Sequence, residues 1–125
     1  MRLGGYVFYE GKDPEGYALA HVAKGFKAAS TAAGIKYKDR TDMAMVYSEV
    51  PCTVAGTFTT NVVKAAPVLW DKMIADEKKT AQVVVINAGI ANACTGEIGY
   101  SYCEQTAKAA EEATLQAQID EQKRL

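Results

Sequence analysis

The chain has 125 residues, 49% hydrophobic and 23% charged, with 14 basic and 15 acidic side chains and a net charge of −1. That balance excludes a disordered polar chain, fits one domain or part of a larger one, and leaves no basic stripe for a phosphate backbone. Cys52, Cys94 and Cys103 lack C-x-x-C spacing and His21 is the only histidine, which speaks against a disulfide framework or a zinc site.

Residues 1–9 carry one basic residue followed by two glycines, and the apolar stretch is broken by Glu10 and Lys12, unlike a signal peptide. No run of about eighteen apolar residues exists, so no membrane span is expected and a cytoplasmic location is inferred. Residues 6–9 read as a short edge strand, and Asp13-Pro14-Glu15-Gly16 is turn chemistry. Residues 22–36 are rich in alanine and glycine. Helix around 27–33 and a tightly packed strand both remain open there.

Residues 43–48 predict a mostly apolar strand covered on both faces and ended by Pro51. Residues 54–61 predict a second strand, with Phe58 and Thr60 on one face, Thr57 and Thr59 on the other, and Gly56 marking a bulge or a close approach. Residues 64–72 are undecided, since Pro67 suits a helix N-terminus. The continuous β-branched run Val83-Val84-Val85-Ile86 makes 82–87 the clearest strand, read as buried. A glycine-rich connection follows to Gly99. A helix is predicted from about Tyr102, with Ser101 and Glu104 at capping-box spacing. Cys103, Ala107, Ala110, Thr114 and Ala117 form a stripe of small residues that implies close approach to a sheet. Glu104 and Lys108 are an i,i+4 pair. Beyond Ala113 the stripe degrades into a polar helical tail supported by Asp120 with Arg124.

The stretch that carries chemistry is Asn87-Ala88-Gly89-Ile90-Ala91-Asn92-Ala93-Cys94-Thr95-Gly96. It leaves a strand and enters a helix. Amides or hydroxyls near the positive end of that helix can hold a developing oxyanion, although an ordinary turn has the same spacing. It is neither a phosphate-binding loop nor a dinucleotide fingerprint.

Three blocks follow in order: Lys24-Gly25-Phe26-Lys27-Ala28-Ala29 with Ala32-Ala33-Gly34-Ile35-Lys36; Ala55-Gly56-Thr57-Phe58-Thr59-Thr60-Asn61 with Lys64-Ala65-Ala66-Pro67-Val68; and Asn87 to Gly96 followed by Glu97. Together they resemble the ornithine acetyltransferases (glutamate N-acetyltransferases) of arginine biosynthesis. The third block is similar to the family's N-S-G-N-A-N-A-C-T-G, departing at Ala88 and Ile90. The resemblance spans 22–113, leaving residues 1–21 as an arm and 114–125 as a tail.

The resemblance implies an α/β (α+β) fold, a sheet with packing helices that forms part of an α-β-β-α sandwich. It implies a precursor that cuts itself and frees a threonine nucleophile. That threonine carries acetyl from N-acetylornithine to glutamate in a ping-pong reaction. The implied oxyanion hole is the Thr95 and Gly96 pair. No cofactor or metal is implied, and no nucleic acid or membrane partner. The family's assembly is a heterotetramer, so a β-chain-like partner is expected. The family's T-G-V-I-G nucleophile segment is absent from this sequence, and Thr114 reads as a helix residue. The expected roles are therefore an acetyltransferase α-chain-like portion inactive alone, a subunit pairing with a separately encoded remainder, or a non-enzymatic relic or binding module. A self-processing amidase-like relative is a fourth reading. Lys24, Lys64 and His21 are expected to be solvated or satisfied surface groups.

Overall fold

The computed structural model describes residues 2–3, 6–9 and 24–124. The turn at 13–16 and His21 lie outside them. Five strands form one antiparallel sheet in sequential order: β1 (Arg2–Leu3), β2 (Tyr6–Tyr9), β3 (Phe26–Thr31), β4 (Met43–Thr53) and β5 (Thr80–Asn87). Two helices accompany it, α1 (Ala66–Met73) and α2 (Gly96–Arg124). This is the mixed α/β architecture that the sequence predicts. β2 is not an edge, because β1 pairs outside it.

Register explains the core. Ala29, Met45 and Val85 lie opposite one another, as do Lys27, Tyr47 and Val83. This row faces α2, where Ala110, Ala113 and Ala117 meet Ala29, Met45 and Tyr47. The predicted stripe of small residues is the buried stripe of α2, and its short side chains let the helix lie close to the sheet. Thr114 is buried with them, and its hydroxyl donates to the Ala110 carbonyl at 2.7 Å. Gln118 donates to the Tyr47 hydroxyl, tying the polar end of the helix to β4. Asp120 accepts from Gln116 at 2.9 Å. The predicted Asp120–Arg124 pair is not formed among the described residues. The Glu104–Lys108 pair is formed, at 3.4 Å.

The opposite row is Ala28, Val46 and Val84, then Ser30, Ala44 and Ile86. Here Val84 is 56% exposed and Ile86 52% exposed. The expectation that the β4 and β5 runs are covered on both faces is therefore corrected: α2 covers one face, and among the described residues nothing covers the other at β5.

The choice left open at 27–33 falls to the strand, because cross-strand pairing on both sides overrides alanine's helix propensity. Three further expectations are corrected. Pro51 does not end β4. The strand continues to Thr53 through a register shift between Tyr47 and Cys52, where a residue without an N–H is tolerated. The buried Ser48 hydroxyl holds this irregularity. It donates to the Val50 carbonyl at 2.6 Å and accepts from the Val50 amide at 3.3 Å and the Cys52 thiol at 3.0 Å.

Residues 54–61 are irregular and mostly exposed rather than a strand. Their alternation mimics a strand, but after Val54 they have no ladder to join, and Thr59 and Asn61 side chains cap the local amides of Asn61 and Val63. Gly56 does mark a close approach: a Cβ there would lie 2.7 Å from the Phe58 ring. Finally, α2 begins at Gly96, so Ser101 is inside the helix, accepting from Gln105 rather than capping.

The undecided segment at 64–72 is α1, with Pro67 in its first turn. A π-helical turn, Ile74–Lys78, follows and closes on left-handed Lys79, whose amide donates to the Ile74 carbonyl at 2.8 Å. α1 packs on the start of α2, with the Trp70 and Tyr100 rings edge to face at 5.5 Å.

Candidate functional site

The connection between β5 and α2 is held at three points. At its start the Ala88 amide donates to the Asp42 carbonyl at 2.9 Å, and the Asn87 side chain donates to the Ile90 carbonyl at 3.2 Å. Asn87 thus closes the turn on the main chain of Ile90, whose own side chain is exposed. Gly89 has φ +97°, and a Cβ there would come within 3.1 Å of Lys36 Cβ. Glycine is therefore required both by conformation and by close approach. A cleft of about 270 Å³ opens here beside Lys36, Tyr37 and Arg40. Thr95 and Gly96 do not line it.

The 32–42 loop that flanks this turn is organised by Asp42. Its carboxylate accepts from the Ala33 amide at 2.6 Å and the Ile35 amide at 2.8 Å. These amide hydrogen bonds hold the carboxyl below its ordinary range.

At the middle and end of the connection, Asn92 is the hub. Its carbonyl accepts from the Ala66 amide at 3.2 Å, joining the connection to the first turn of α1. Its side-chain amide donates to the Gly99 carbonyl at 2.7 Å and to the Cys103 sulfur at 3.5 Å. Its Oδ1 accepts from the Thr95 hydroxyl. Burial pushes the Cys103 thiol up; the Asn92 amide opposes this and the Asp71 charge adds to it. Burial also raises the Asp71 carboxyl.

Cys94 and Gly96 are left-handed, at φ +57° and +61°. The first helical bond of α2 runs from the Gly99 amide to the Thr95 carbonyl at 3.3 Å, which makes Thr95 the residue flanking the helix. Among the described residues the Thr95 and Gly96 amides donate to no main-chain acceptor. They stand exposed at the positive end of a 29-residue helix. The Thr95 hydroxyl is committed to Asn92, so the donors this pair offers an incoming anion are its N–H groups.

The two residues singled out from sequence are thus adjacent, exposed and at a helix start. Lys24 is exposed in the turn before β3, and Lys64 is half-buried in the loop before α1. Sequence reading did not single out Asn92 or Gly99. A glycine inside the first turn of a helix was the available signal, since it costs helix stability and marks close packing. Among the described residues no three His, Cys, Asp or Glu side chains converge to hold a metal ion, and no helix is long and apolar enough to cross a membrane.

A family model described as the ArgJ family matches residues 27–124. The chain is 53% identical over 90 residues to the chloroplastic arginine biosynthesis bifunctional protein ArgJ of Oryza sativa subsp. indica, covering 71% of this chain and 19% of that protein. It is 44% identical over 87 residues to the arginine biosynthesis bifunctional protein ArgJ of Gloeobacter violaceus, covering 70% and 21%. Among solved structures, the ornithine acetyltransferase of Mycobacterium tuberculosis, complexed with ornithine, aligns with a TM-score of 0.56 at 46% identity. That alignment covers 62% of this chain and 40% of the other. The arginine biosynthesis bifunctional protein of Bacillus halodurans gives 0.55 at 42% identity, with the same coverage. The chain spans about a fifth of the length of these curated relatives.

Proposed function

Because the chain belongs to the ArgJ family, we propose that it supplies the oxyanion-hole segment of an ornithine acetyltransferase. In this reading the Thr95 and Gly96 amides receive the acyl oxygen while acetyl passes from N-acetylornithine to a threonine nucleophile and then to glutamate. Each step passes through a tetrahedral intermediate whose oxygen becomes negative. Fixed N–H groups at a helix start stabilise that charge without reorganising. The observation that carries the proposal is that these two amides, inside the matched region, have no main-chain acceptor among the described residues. The nucleophile comes from a part of the enzyme outside this sequence.

Residues 22–113 form the α-chain-like region in this proposal, with 1–21 as an arm and 114–125 as a helical tail. The β-chain-like remainder covers the open face of β5, since burying the half of Val84 and Ile86 that is still exposed contributes about 1 kcal/mol each, and the assembly is the family's heterotetramer. No cofactor takes part. The location is cytoplasmic.

The test uses the full chain joined ahead of the remaining length of the Bacillus halodurans relative. Transfer of acetyl from N-acetylornithine to glutamate is measured. Replacing the Gly96 peptide N–H by an ester oxygen removes one donor and weakens the Thr95 carbonyl as acceptor for the Gly99 amide. It is expected to lower kcat by about 10²–10³-fold. A kcat within twofold of the unmodified enzyme would exclude the pair. The chain alone is expected to show no transfer. A partner-binding subunit without chemistry is the second reading, favoured by the exposure of Val84 and Ile86. It predicts that the joined enzyme is assembled but silent.

A further inference from the structure

We propose that Asn92 is a positioning residue for the Thr95 and Gly96 amides, and that Gly99 lacks a side chain in order to admit it; this rests on reading those amides as an oxyanion hole.

Between Ala91 and Thr95 the chain has no regular structure to hold it, yet Cys94 takes a left-handed conformation with a side chain, and Gly96, where α2 begins, takes one too. Such conformations persist only where the surroundings over-determine them. The Asn92 side chain spends one donor and its acceptor on this, and its other donor on the Cys103 sulfur. Its side-chain amide grips the Gly99 carbonyl one turn inside α2. Its Oδ1 takes the Thr95 hydroxyl before the helix begins. One planar group therefore sets the distance and angle between the entering chain and the helix. Its main-chain carbonyl fixes the same residue to α1 through the Ala66 amide.

The space for this exists only because residue 99 is glycine. A Cβ there would lie 2.5 Å from Asn92 Oδ1 and would also collide with the Thr95 hydroxyl. Gly99 has no left-handed φ that would demand glycine. Its conformation is helical, where alanine is the better residue. The glycine is explained by the Asn92 and Thr95 side chains that occupy the position of its missing Cβ.

The test has two arms. In the joined enzyme, Asn92→Ala is expected to lower kcat by about 10²-fold, the scale of a small misplacement at a reacting centre, with KM for N-acetylornithine nearly unchanged. Asn92→Asp keeps the acceptor for Thr95 but sets a carboxylate against the Gly99 carbonyl. Protonation restores a donor, so the deficit of this variant relative to the unmodified enzyme should shrink as pH falls below about 4. A deficit that does not change with pH would mean that the Gly99 contact is not its cause, against the proposal. In the full chain by itself, Asn92→Ala should shift the Thr95 and Gly96 amide resonances and leave those of β3 and β4 in place. A kcat within twofold for Asn92→Ala, or unmoved amides, would overturn the proposal. A joined enzyme that is inactive with Asn92 intact would count against the oxyanion reading alone, and the amide resonances would still decide the role of Asn92.

Discussion

Asp42 shows how one carboxylate connects a loop to the candidate site. Its side chain binds the Ala33 and Ile35 amides while its main-chain carbonyl receives the Ala88 amide. The folded carboxyl lies below its ordinary value. An acid of lowered pKa contributes stability that is fully present above the unfolded value, near 4, and is lost as pH falls through the folded one. Hydrogen exchange at the Ala33 and Ile35 amides, corrected for intrinsic rate, should therefore lose protection only in acid. Asp42→Ala should show the unprotected rate at every pH, and wild-type amides no better protected at neutral pH than those of this variant would contradict the assignment. At this scale the Thr95 and Gly96 pair was legible, because it lies in a recognisable block. Asn92 was not, since its task is defined by the Gly99 carbonyl, and that contact exists only if the helix begins at Gly96.

Among the elements, β5 and the front of β4 were legible from unbroken β-branched and apolar runs, and the buried face of α2 from its small residues. The start of α2 was not, because Gly96, Ile98 and Gly99 are poor helix formers held in place by tertiary contacts. Residues 54–61 misled because alternating threonines describe a surface that suits a strand, whereas a strand also needs a neighbour. The close fit of α2 can be tested directly. Ala117 is 6% exposed against Met45 and Tyr47. Ala117→Leu should push the helix off the sheet and cost about 1–3 kcal/mol in urea unfolding. Thr114→Val, which removes only a hydroxyl bonded back to its own helix, should leave acetyl transfer in the joined enzyme unchanged. A large loss there would return Thr114 to candidacy as a nucleophile.

At the largest scale, the governing fact is a sheet with one face packed by α2 and, on the other, an apolar row at β5 that nothing among the described residues covers. Such a patch drives association. Val84→Thr with Ile86→Thr should reduce self-association of the chain in sedimentation while leaving its melting temperature within a few degrees. It should weaken assembly with the remainder of the enzyme. Undiminished assembly would show that another surface makes the joint. Periodicity alone could not tell this half-open face from a buried one.

The register shift in β4 has its own effect on how force and motion pass through this sheet. Before the shift, residues 43–47 are clamped between β3 and β5; beyond it, Cys52 and Thr53 pair with β5 alone. The strand is thus held on both sides up to the shift and on one side beyond it, with the Ser48 hydroxyl bridging the two parts. The 54–61 loop therefore leaves the sheet beside Thr80, at the opposite end of β5 from the Asn87–Gly96 connection.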